Sequence, residues 1–134
     1  MKKIILFVED MPELLAKAKD QITAAGFGFI GADNLQDAER LFSKVKIDGV
    51  ITDMFFPQRP NASDATPCGI TVVIMALAAK VPVVVCSSAG HEADFIKAAL
   101  KDLEKITGTA IPIPGNKDLE ASIATIKQMI GGLK

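Results

Sequence analysis

The sequence predicts an α/β fold: a doubly wound parallel sheet with helices on both faces. Three observations predict it. Five short apolar runs alternate with longer segments of helical periodicity, the pattern of successive βα units. Three of those runs are apolar without interruption, as strands covered on both faces by helices are. And a chain of 134 residues, 49% apolar and 23% charged, suits one globular domain with a sizeable core.

Taken in order, the first strand is expected at Ile4–Val8 and runs into Glu9-Asp10. A helix follows over Glu13–Ala25, with Leu14, Leu15, Ala18 and Ile22 at helical spacing. Phe27–Ala32 reads as the second strand. Leu35–Val45 is the second helix, its stripe made by Leu35, Ala38, Leu41 and Phe42, with Asp33 and Asn34 available as caps. Gly49–Thr52 is the third strand, and the almost wholly apolar Ile70–Ala79 a well-buried third helix. Val81–Cys86 and Ala110–Ile113 are the fourth and fifth strands. Glu92–Ile106 and Lys117–Leu133 are the last helices, the latter turning Leu119, Ile123, Ile126 and Ile130 inward. Gln58–Cys68, polar and rich in Pro, Asn and Ser, reads as an extended loop. No repeat or linker interrupts the pattern, so residues 1–134 are expected to be a single domain.

Composition narrows the function. Fifteen basic and sixteen acidic residues leave a formal net charge of -1, which argues against a basic nucleic-acid surface. The run Ile4–Val8 is too short for a signal peptide, and no stretch approaches the roughly 20 apolar residues a bilayer requires. Cys68 and Cys86 have no metal-ligand spacing and imply no disulfide framework, so a cytoplasmic location is expected. Gly26-Phe27-Gly28-Phe29-Ile30-Gly31 spells a dinucleotide fingerprint, but it follows a helix and enters a strand, the reverse of what that site needs. Gly26 reads instead as the residue that ends the first helix. His91, the one histidine, belongs to no multi-histidine site. Ser87 lacks a nucleophile elbow. Phe55 and Phe56 either lie exposed beside the strand ends or pack under the long loop.

In open α/β sheets ligands bind beyond the carboxyl ends of the strands. The first strand ends in Glu9-Asp10, the third in Asp53 and the fourth in Ser87-Ser88, so three carboxylates and a hydroxyl converge on one edge. Such an oxygen-rich set suits Mg²⁺ together with a phosphate. Capping of the first helix offers a plainer account of Asp10 in Asp10-Met11-Pro12-Glu13, but not of Glu9 or of Asp53, whose charge at a buried strand end is costly.

These residues resemble a response-regulator receiver domain. The acidic pair after the first strand is matched by Glu9 and Asp10 in Ile5-Leu6-Phe7-Val8-Glu9-Asp10. The phosphoacceptor, with Pro four residues on, is matched by Asp53-Met54-Phe55-Phe56-Pro57. The hydroxyl after the fourth strand is matched by Ser87 in Pro82-Val83-Val84-Val85-Cys86-Ser87-Ser88. The resemblance covers nearly the whole chain and implies a flavodoxin-like, five-stranded parallel sheet of order 2-1-3-4-5 with five helices. It implies that Asp53 accepts a phosphoryl group from a histidine kinase or a phosphotransfer protein. Mg²⁺ would be held by Glu9, Asp10, Asp53 and the Phe55 backbone carbonyl, with Ser87 as the phosphate-binding switch residue. The expected output is a phosphorylation-sensitive surface for a downstream effector protein, without turnover of a separate substrate.

Two departures stand out. Ile113 falls where the family has its phosphate-contacting lysine, and Ala110 where it has its switch aromatic; Lys117, four residues on, is expected to lie out of reach. Gly69 comes twelve residues after Pro57 rather than about four, which makes residues 58–68 an insertion over the site rim. These departures give a second reading: an atypical or pseudo-receiver that acts as a protein-interaction module without phosphorylation. A third, a Mg²⁺-dependent phosphatase on the same edge, lacks a separate general acid.

Overall fold

The computed structural model describes residues 2–88 and 94–132. In chain order the elements are β1 (Ile4–Val8), α1 (Pro12–Ala24), β2 (Gly28–Ala32), α2 (Leu35–Lys44), β3 (Gly49–Thr52), β4 (Phe56–Pro57), β5 (Ala65–Thr66), α3 (Gly69–Ala78), β6 (Val83–Val85), α4 (Asp94–Thr107) and α5 (Leu119–Gly131). The strands β2-β1-β3-β6 form one parallel sheet in that order. Side chains alternate across a strand, so each strand feeds two cores. Ile5, Phe7, Ile51 and Val84 pack with Ala18 and Ile22 of α1 and Ile123 and Ile126 of α5. Leu6, Val8, Val50, Val83 and Val85 pack on the other face with α2, α3 and α4, through Ala38, Val72, Val73, Ile96 and Leu100. This is the predicted doubly wound architecture with its five helices. Among the described residues, no helix is long and apolar enough to cross a membrane.

The fifth strand departs from expectation. Residues 110–113 run beside β6, where the Val85 N–H donates to the Pro112 carbonyl at 3.0 Å, but they form no regular ladder. Pro112 and Pro114 have no N–H to donate, so the pairing cannot propagate. Ile113 packs against the core shared by α2, α3 and α4.

Residues 58–68, expected to be an extended loop, belong in part to a hairpin. Phe56 pairs with Thr66 and Pro57 with Ala65, so β4 and β5 make a short antiparallel hairpin. Phe56, in β4 itself, is fully buried and the half-buried Phe55 packs against the same core, so neither aromatic stands free beside the strand ends. The Gln36 N–H donates to the Gln58 carbonyl at 2.9 Å and pins the hairpin to the first turn of α2.

Helix ends follow local chemistry. Met11 is the N-cap of α1 and makes no side-chain cap bond, so Asp10 does not serve as the cap. Gly26, at φ +96° in the left-handed region, follows the C-cap Ala25 and ends that helix. Asn34 caps α2 by accepting from the Asp37 N–H at 2.9 Å, while its amide donates to Asp33 at 2.6 Å and to Asp37 at 2.9 Å. Asn34→Ala loses the cap of α2 and the two amide bonds to Asp33 and Asp37, whose side chains keep access to solvent. Its expected cost is about 2 kcal/mol, read from urea unfolding followed by far-UV circular dichroism. The third helix is buried as predicted through Gly69, Val72, Val73 and Ala76, although Ile74 faces solvent. Phe95 and Ile106 of α4 are likewise exposed. His91, and the first two residues of the predicted fourth helix, lie outside the described residues.

Candidate functional site

Register brings the strand ends to one level. Val8 pairs with Ala32 and with Thr52, and Thr52 pairs with Val85. The next residues are tied in the same way. The Glu9 N–H donates to Ala32 at 3.0 Å, the Asp53 N–H to Val8 at 2.9 Å and the Cys86 N–H to Thr52 at 2.8 Å. Glu9 and Asp53 therefore stand side by side at the carboxyl edge of the two central strands, with Asp10 and Ser87 one residue beyond.

One carboxylate oxygen from each of Glu9, Asp10 and Asp53 lies within 4.8 Å of the others. Glu9 and Asp53 are buried and Asp10 is exposed, so the cluster opens to solvent on the Asp10 side. Ser87 is buried, its hydroxyl 3.5 Å from its neighbour's carbonyl. Asp53 is fixed further by the Met54 N–H, which donates to Oδ1 at 2.7 Å. The Met11 N–H donates to Glu9 Oε2 at 3.2 Å.

The expectation that Lys117 lies out of reach is overturned. Its ammonium sits 2.9 Å from Glu9 Oε1 and 3.2 Å from Asp53 Oδ2. The chain gets there by a tight turn after Pro114: Asn116 and Lys117 both adopt left-handed backbone, at φ 59° and 51°. The Lys117 N–H then donates to the Ser87 carbonyl at 3.0 Å, and Asp118 caps α5 by accepting from the Ala121 N–H at 3.0 Å. A signal was present in the sequence. Pro114-Gly115-Asn116 is a turn-forming run able to fold the chain back over the strand ends.

The electrostatics are those of an acidic cluster partly neutralised by one lysine. With all groups ionised, three carboxylates face one ammonium, leaving two uncompensated negative charges. Burial, and then the Asp53 charge, raise Glu9 from 4.5 to about 7, against the opposing pull of Lys117. Burial works against the Lys117 ammonium too, but its hydrogen bond to Glu9 and the two carboxylate charges outweigh it and hold the pKa above its ordinary value. Cys86, packed in the apolar core beside α5, has its thiol pushed up by burial against a hydrogen bond from Ser122, and behaves as a small apolar residue.

The hairpin shapes the rim. A cavity of about 280 Å³ lies between it and the strand ends, lined by Asp10, Asp33, Asn34, Arg59, Asn61 and Ser63 among others. Gly69 packs against the end of β3: the Gly69 N–H donates to the Met54 carbonyl at 2.9 Å.

No family model matches the sequence, and no curated protein matches it. Solved structures do. The chain is similar to a response regulator receiver protein from Sinorhizobium medicae WSM419, with 25% identity and a TM-score of 0.72 over 99% of this chain and 98% of that one. It is similar to the receiver domain of the Francisella response regulator 1452, at 16% identity and TM-score 0.72, covering 98% and 99% of the two chains. It is also similar to the BeF3-activated N-terminal receiver domain of Klebsiella pneumoniae RstA, at 20% identity and TM-score 0.66, covering 96% and 98%. The chain has the fold of a response-regulator receiver domain over nearly its full length.

Proposed function

We propose that the chain is a phosphoacceptor receiver, modified on Asp53 by a histidine kinase or a histidine phosphotransfer protein in a Mg²⁺-dependent reaction. The observation that carries the reading is the acidic cluster at the strand ends, with a lysine ammonium against the Asp53 carboxylate. Receiver-domain neighbours, among them the receiver domain of a signal transduction histidine kinase from Syntrophus aciditrophicus, support a partner of that kind.

In this reading an Asp53 carboxylate oxygen attacks phosphorus and forms a new O–P bond, giving a mixed carboxylic–phosphoric anhydride. The P–N bond of the donor histidine breaks, and its electron pair stays on the imidazole. With acetyl phosphate the P–O bond breaks and acetate leaves. Positioning and charge neutralisation are what the protein must supply. The Met54 N–H holds one Asp53 oxygen while Lys117 faces the other, so the ammonium is placed to meet a transferred phosphoryl oxygen. Ser87 supplies a hydroxyl from the neighbouring strand end. The oxygen donors of Glu9, Asp10 and Asp53, with the Phe55 carbonyl, suit Mg²⁺, which supplies neutralisation of phosphoryl oxygens when bound. Buried free Cys68 and Cys86 fit a reducing cytoplasm. The outcome would be a phosphorylation-sensitive surface presented to an effector protein.

Ala110, where receivers carry an aromatic, favours the second reading of a phosphorylation-independent interaction module. Intact mass after incubation with acetyl phosphate and Mg²⁺ decides between them. A single phosphoryl adduct is expected on the wild type and none on Asp53→Asn. A folded wild type that takes no adduct at any Mg²⁺ concentration rules out the phosphoacceptor reading.

A further inference from the structure

Resting on the reading of Asp53 as phosphoacceptor, we propose that Asn116 is a positioning residue whose left-handed backbone delivers Lys117 into the acidic pocket from a loop beyond the fifth apolar segment. Three observations carry this. Ile113 packs in the core, so the segment itself sends no cation to the pocket. The chain then reverses through Asn116 at φ 59° and Lys117 at φ 51°. The Lys117 ammonium meets Glu9 and Asp53, while its own N–H is held by the Ser87 carbonyl.

The physics is that of a turn chosen for where it aims a side chain. Asn tolerates left-handed backbone far better than most residues, glycine better still, and a β-branched residue resists it. With Asn116 in that conformation, the following residue is turned back towards the strand ends and fastened to Ser87. Without it, the two preceding prolines would carry the chain onward in extended form. The ammonium would then leave two buried carboxylates without their cation. Asn116 touches neither the phosphoryl group nor the carboxylates in this scheme; it acts through Lys117.

The test compares Asn116→Val, Asn116→Gly, Lys117→Met and the double variant Asn116→Val/Lys117→Met. The readout is the rate at which acetyl phosphate and Mg²⁺ add a phosphoryl group, with far-UV circular dichroism to confirm folding. Lys117→Met and Asn116→Val are each expected to slow the reaction tenfold or more. Asn116→Gly, which keeps the left-handed turn, is expected to stay within about threefold of the wild type. The double variant is expected to be no slower than Lys117→Met alone, because both changes remove one contribution. A wild-type rate in Asn116→Val, equal slowing in Asn116→Gly, or multiplied effects in the double variant each overturn the proposal while leaving Asp53 as phosphoacceptor. A wild type without adduct overturns both.

Discussion

Gly69→Ala is expected to destabilise the domain by about 3 kcal/mol and to lower its thermal midpoint by roughly 10 °C. A Cβ at that position would lie 2.4 Å from the Asp53 carbonyl oxygen and 2.6 Å from the Met54 Cα. Both are backbone atoms, so no side chain can rotate aside to make room. Either α3 lifts off the end of β3, or the Asp53–Met54 segment moves. Each disturbs the backbone that carries Asp53 or its packing, so on the proposed reading adduct formation from acetyl phosphate is expected to fall together with stability. Gly131→Ala is the matched control, since its Cβ would meet nothing within 4 Å, and it is expected to leave the midpoint nearly unchanged. A Gly69→Ala protein as stable as the wild type would show that the α3–β3 junction yields where its packing says it is rigid.

Glu9 gives the second large effect. Its carboxyl titrates near 7 in the folded chain against 4.5 ordinarily, through burial first and the Asp53 charge second. Between those values the folded state binds more protons than the unfolded one, so the Glu9 contribution is fully present below about 4.5 and is lost as pH rises through 7. The metal-free protein should therefore lose up to about 3 kcal/mol of stability between pH 5 and pH 8, measured by urea unfolding, and Glu9→Gln should flatten that slope. On the proposed reading of Glu9 as a Mg²⁺ ligand, saturating Mg²⁺ is expected to flatten the trend, because a ligating carboxylate has to be ionised. Its affinity is expected to be about tenfold weaker at pH 6 than at pH 8, as a group titrating near 7 is mostly protonated at the lower pH. Stability rising with pH in the metal-free wild type, or a Glu9→Gln variant with the same slope, would contradict this account.

Much of the molecule was legible from local pattern. The strands β1 and β3 lie where the apolar runs end in Glu9 and Asp53, because continuous apolar runs between helices have one packing solution in a parallel sheet. Asn34 as a cap and Gly26 as a helix end follow from chemistry within a few residues. What was not legible depended on chain reversal. Residues 58–68 read as a polar loop because β4 and β5 contribute only two residues each, too few for a period of two to show. By spacing alone Lys117 reads as the start of the last helix. Its reach to Asp53 depends on two successive left-handed residues, which no hydrophobic pattern encodes. The fifth segment reads as a strand, but Pro112 and Pro114 leave it beside β6 without a ladder.

That proline-broken segment governs how the domain meets its own copies. A parallel sheet with a bare outer strand offers unpaired N–H and C=O groups to any extended chain, the route by which sheets fuse edge to edge. Here β6 is shielded by a stretch whose Pro112 carbonyl is taken by the Val85 N–H, whose Ile111 N–H is taken by Glu104 Oε2 at 2.7 Å, and which has no N–H at Pro112 and Pro114. At high concentration this flank is a poor template for growth of a fibril. Any strand-mediated self-association should begin instead at β2 on the opposite side of the sheet.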